Sequence, residues 1–88
     1  MTREESVKAG GIEVTRWQGH RLMLYWEVWS EVKPLRPTFI VELESDSHRK
    51  YKAAFDTLAE ADEDLDRIKQ QHAIEIAKTA FRLKRGGH

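Results

Sequence analysis

The chain contains no cysteine. Disulfides, thiol nucleophiles and cysteine-based zinc sites are thereby excluded, and no cross-link can supplement a small core. It also lacks net charge, because fifteen basic residues balance fifteen acidic ones. A free nucleic-acid binder is usually basic, since phosphate neutralisation supplies most of its affinity. The balance therefore lowers that expectation and favours self-association. Long apolar runs are missing too. The longest, Leu22 to Trp26, falls far short of the roughly 20 residues that span a bilayer, so no membrane partner is expected. The opening Met1-Thr2-Arg3-Glu4-Glu5 is too charged for a secretory signal, and a cytoplasmic location is expected. Proline occurs twice, at Pro34 and Pro37, so the places where a sheet ladder must stop are few.

What is present is globular in kind: 88 residues, 40% hydrophobic and 34% charged. A chain this short buries only about two-thirds of the surface that its unfolded form exposes, so partner contacts can supply part of its stability. We expect a flexible lead-in over residues 1–10, a single domain over 11–85 and a tail over 86–88. Thr2-x-x-Glu5 suits a capping box for one helical turn, which Gly10-Gly11 would end.

Period-two alternation predicts strands. The first is Ile12–Trp17, with Gln18-Gly19 as a two-residue hairpin turn. The strongest runs from His20 to Val32, with Leu22, Leu24, Trp26 and Val28 on one face. Lys33-Pro34-Leu35-Arg36-Pro37 must be a loop. A third strand covers Thr38–Glu44, Ser45-Asp46-Ser47 turns, and Lys50–Phe55 forms a fourth. Thr57-Leu58-Ala59-Glu60 then fits a capping box, and neither Gly nor Pro follows before Gly86. The expectation is α+β: a four-stranded antiparallel meander packed on one long C-terminal helix (ββββα), continuous from about 58 to 84. A break near Gln70-Gln71-His72 is the alternative. The core would join Leu22, Leu24, Trp26, Val28, Phe39, Val41, Leu43, Tyr51 and Phe55 to the helix stripe Leu58, Ala61, Leu65, Ile68, Ile76, Ala80 and Leu83.

The segment Phe55-Asp56-Thr57-Leu58-Ala59-Glu60-Ala61 is similar to the last-strand-to-helix junction of the DNA-binding domains of plant ethylene-response factors. The resemblance covers about seven residues and its content is generic: an aromatic ends a strand and a capping box opens a helix. The arginine-rich strands that contact DNA in that family are missing here. No functional residue is carried over.

Chemistry-bearing motifs are scarce. His20, His48, His72 and His88 share no helical ligand spacing; His20, His48 and His88 read as solvated, and His72, which interrupts an apolar stripe, as a satisfied helix-face histidine. Glu60, Asp62, Glu63, Asp64 and Asp66 open the long helix, and Lys78, Arg82, Lys84 and Arg85 close it, as the helix dipole favours. No Ser-His-Asp set, metal cluster or glycine-rich phosphate loop is visible. No cofactor, metal or enzymatic activity is expected.

Two surfaces call for a partner. By alternation Trp17, Met23, Tyr25, Trp29 and Ile40 point away from the helix, forming an aromatic patch on the open sheet face. Glu13, Glu27, Glu42 and Glu44 share it with Lys50 and Lys52, an acidic setting that suits protein better than nucleic acid. A bulge sending Trp17 or Trp29 inward, or the N-terminal arm folding over, would remove that patch. On the helix, Ile74, Ala77 and Phe81 fall at i, i+3, i+7, away from the core stripe. The expected function is a protein-binding or regulatory module acting through these two faces, with a second copy of itself as the partner. The alternative is a small nucleic-acid-binding domain using Arg16, Arg21, Lys33, Arg36, Lys50, Arg82, Lys84 and Arg85.

Overall fold

A computed structural model describes residues 2–28 and 37–86, with side chains through residue 79. Seven elements follow one another: α1 (Arg3–Ala9), β1 (Ile12–Trp17), β2 (His20–Val28), β3 (Pro37–Ser45), β4 (His48–Phe55), α2 (Leu58–Gln71) and α3 (Ala73–Gly86). The strands form one antiparallel meander in the order β1-β2-β3-β4. The α+β class and the four-stranded meander are those read from the alternation.

The turns are built where turn chemistry allows. Trp17 pairs with His20 and Ser45 with His48, leaving two-residue loops at Gln18-Gly19 and Asp46-Ser47. All four loop residues have positive φ, which two-residue hairpins demand because their twist then matches that of the strands. The Asp46 N–H donates to the Gly19 carbonyl at 3.0 Å, tying the two turns together at one end of the sheet.

The C-terminal region is two helices, so the break near Gln70-Gln71-His72 is adopted and the continuous helix is not. His72 separates α2 from α3 with φ −114° and ψ 19°, which is not helical. The hydrogen-bond ladder survives on both sides: the His72 N–H donates to Ile68 O at 3.2 Å and the Ile76 N–H to His72 O at 3.0 Å. The bend lets α3 cross toward β1 while α2 lies over β3 and β4, so helix covers more of the sheet than one straight rod could.

The N-terminal segment is likewise not a loose lead-in. Its capping box is complete, Thr2 accepting from the Glu5 N–H while the Glu5 side chain accepts from that of Thr2. One face of α1 drives Val7 into the core at 0% exposure, and Arg3 reaches Asp62 on α2 at 2.7 Å. The core joins Val7, Trp17, Leu22, Leu24, Phe39, Val41, Leu43, Ala61, Leu65 and Ile68, with Trp26, Tyr51, Phe55, Leu58 and Ile76 packed against it. Most of this was expected. Val7 and Trp17 were not, and Val28, expected inside, is 57% exposed at the end of β2. Ala80 and Leu83 lie outside the described side chains.

Candidate functional site

The open sheet face differs from the expected aromatic patch. Glu13 pairs with Met23 but Thr15 pairs with Leu22, so Val14 is an extra residue in β1. This bulge shifts the parity of everything after it, and Trp17 turns to the core face, 1% exposed. Ile40 does lie on the open side, between Tyr25 and Ala54 in register, yet as part of an interior strand it is fully buried. Met23 and Tyr25 are half-buried. Trp29 lies outside the described residues.

Charge on this face is also rearranged. A second bulge leaves Lys50 as the extra residue between Arg49, which opposes Glu44, and Tyr51, which opposes Leu43. Arg16, Arg21 and Arg49 join Lys52 on the open side, matching Glu13, Glu27, Glu42 and Glu44 one for one. The expected acidic surplus is absent, and the groups pair. Arg16 meets Glu13 at 2.7 Å, Arg21 meets Glu44 at 3.3 Å, Arg49 lies 3.8 Å from Glu42, and Lys52 meets Glu27 at 2.9 Å. Arg16, through its hydrogen bond, holds the Glu13 carboxyl below its ordinary range. The Tyr25 hydroxyl donates to Glu42 at 2.8 Å. Burial first, then this carboxylate, pushes the phenol above its ordinary pKa. The face is thus an ion-pair lattice around a half-buried tyrosine, and its cations are engaged.

At the hairpin end the fold assembles a ring cluster from residues that look scattered in sequence. The His20 imidazole stacks parallel on Trp17 at 5.0 Å, and His72 tilts against Trp17 at 5.2 Å and His20 at 5.8 Å. The reading of His20 as a solvated single is corrected, and His72 packs on the side of the apolar stripe that it interrupts. The bulge in β1 turns Trp17 inward, and the bend at His72 brings the second imidazole over it. Trp17 Nε1 is buried without a hydrogen-bond partner among the described residues. Among those residues no three His, Cys, Asp or Glu side chains are grouped as a metal ion would need.

Ile76 packs on the core, while Ile74 is 70% exposed and Ala77 is exposed one turn on. Ile74 and Val28 are the exposed large hydrophobics among the described residues. The side chain of Phe81 lies outside them, as do those of Arg82, Lys84 and Arg85 and the whole of Lys33 and Arg36.

Beside β4, an open groove of about 370 Å³ is lined by Phe55 and by Glu60, Glu63, Asp64 and Arg67 of α2. Beside it the Tyr51 hydroxyl donates to Asp64 at 2.7 Å, and the Arg67 guanidinium lies 5.4 Å from the Tyr51 ring centre. Sequence reasoning did not single out this groove, because where α2 crosses β4 is a relation between two elements and is not written in either. A smaller pocket of about 200 Å³ opens at Gly10, Gly11, Glu13, Met23 and Tyr25. No helix of the described chain is long and apolar enough to cross a membrane.

No protein-family model, curated protein or solved structure matches the chain.

Proposed function

We propose that the chain is a small protein-binding, regulatory module that works as a homodimer and presents the outward face of α3 to a partner protein. The observation that supports this best is the two-sided apolar character of α3. Ile76 faces the core, while Ile74 stands 70% exposed on the other side. Ala77 follows it at i+3, and the sequence continues the row with Phe81 at i+7. A helix that is apolar on two sides needs a second surface to cover it, and anchors at i, i+3 and i+7 are how a groove reads a helix. Zero formal charge removes the repulsion that would keep two copies apart.

The nucleic-acid reading has weaker support. Arg16 and Arg21, two of its expected contacts, are held by Glu13 and Glu44. Lys50 remains exposed at its bulge. A gel-shift series at low salt separates the readings, because phosphate-driven binding is strongest there.

The experiment that tests the module is a photo-cross-linking residue at position 74, activated in the native cell. A defined protein adduct that disappears when the probe sits at exposed Gln70 supports the reading. Equal, diffuse labelling from both positions sinks it. Sedimentation at micromolar concentration tests the dimer, and a clean monomer would count against that half of the proposal.

A further inference from the structure

We infer that α1 is a clasp: it swings off the sheet as one unit about Gly10 while the rest of the fold stays closed, and in its docked form it shuts an apolar seat beside Trp26 against other surfaces. The clasp is independent of the α3 reading and adds a conformational control to the domain.

Little holds α1 down. Val7 is buried and Ser6 half-buried, while Arg3, Glu4, Glu5, Lys8 and Ala9 are exposed. A helix of seven residues is not stable in water by itself, even with its capping box complete, because nucleation costs more than so few hydrogen bonds return. α1 is therefore helical because Val7 is seated, and seating and helix are lost together. By contrast, α2 buries Ala61, Leu65 and Ile68 and lies over β3 and β4. The core residues other than Val7, from Trp17 to Ile68, belong to the strands and α2, so they keep one another when α1 leaves.

The other ties lie at the surface. Arg3 meets Asp62 at 2.7 Å with the two side chains 44% and 43% exposed. An ion pair in that setting is weak and is screened by salt. The Lys8 ammonium stands 4.7 Å from the centre of the Trp26 ring, a contact that is modest for an exposed cation.

The glycine pair sets the pivot. Gly11 is fixed: a Cβ there would stand 2.7 Å from the Tyr25 Cβ, so its backbone lies against β2. Gly10 is exposed, with nothing within 4 Å of an added Cβ. Packed backbone thus gives way to open backbone between two neighbouring residues, and the Gly11 N–H bond to Ser6 O at 3.2 Å crosses that point. Swinging α1 out uncovers the place of Val7, which shares its core cluster with Leu24 and Phe39, and the ring of Trp26, which packs edge-on to Phe39 at 4.7 Å.

The absence of native cysteine allows a direct test. In native buffer Val7→Cys should react with a thiol reagent at least about 100-fold faster than Ala61→Cys on α2. Low urea should speed the second and not the first, because local opening exposes little surface. Arg3→Ala should speed labelling at position 7 about two- to fivefold and leave position 61 unchanged. Val7→Asp, which holds α1 out, should keep a cooperative unfolding transition and bind a naphthalene-sulfonate dye about tenfold more strongly than the wild type. Equal rates at 7 and 61 with the same urea dependence overturn the clasp. So does a Val7→Asp chain that loses cooperative unfolding, or one that folds and gains no dye binding.

Discussion

His72, the single residue between α2 and α3, lays its imidazole against that of His20 with ring centroids 5.8 Å apart, and Trp17 touches both. One contact set thus links the first hairpin to the helix bend. The position of α3, and with it the outward face that carries Ile74, depends on this packing.

Trp17 should be the most costly side chain to truncate. It is among the largest fully buried groups, and it bridges β1, β2 and the helix bend. Trp17→Ala should lose about 3–5 kcal/mol in urea unfolding, a large share of the roughly 5–15 kcal/mol typical of a small domain. Trp17→Phe should lose much less, because it keeps an aromatic body and removes the unpartnered buried Nε1–H. Equal losses for both variants would contradict a role for the ring packing.

Two adjacent glycines should respond differently to alanine. Gly11 has φ +88°, and a Cβ there would stand 2.7 Å from the Cβ of Tyr25 and 3.1 Å from the Leu24 carbonyl oxygen. Gly11→Ala should cost about 1–3 kcal/mol from backbone strain alone, with more from the contact. Gly10, at φ 170°, lies outside the left-handed region and has nothing within 4 Å of an added Cβ. Gly10→Ala should change thermal stability by less than about 0.5 kcal/mol. A comparable loss at both positions would place the constraint elsewhere.

The two tyrosines should resist ionisation while the chain is folded. Burial, then hydrogen bonding to Glu42, raises the Tyr25 phenol above its ordinary value; burial, then Asp64, does the same for Tyr51. A raised folded-state value means that the native chain holds the proton more tightly than the unfolded chain. The associated stability is fully present below pH about 10 and is lost as pH rises from there through the folded-state values. Phenolate absorbance should therefore stay low at pH about 10 and rise together with loss of circular dichroism. A full phenolate signal at that pH with the fold intact would refute it.

Much of the fold is legible in short windows. Alternation in Leu22–Trp26, Phe39–Leu43 and Tyr51–Phe55 selects the core face, because side chains in a strand change sides every residue. Thr57 and Glu60 announce α2 through a local hydrogen-bond pattern, and the Thr57 hydroxyl does accept from the Glu60 N–H at 3.2 Å. The Ile74–Ala77 face follows from helical spacing in the same way.

Tertiary structure decided the rest, and the reason is the same at each point. The residues of β1 do not reveal that Val14 is extra; only pairing with β2 does, and that one residue moves Trp17 from the open face to the core. The shift at Lys50 depends equally on β3, and it determines which cations meet the carboxylates of the open face. The sequence around His72 leaves both a continuous helix and a break near Gln70-Gln71-His72 open, and no local signal chooses between them. The bend occurs where a straight helix would leave α3 unpacked and an imidazole can instead cover Trp17 and His20. Sequence by itself determined what each window prefers, because those preferences come from contacts a few residues apart. Register, edge and bend belong to pairs of elements distant in the chain, and only the assembled sheet selects among them.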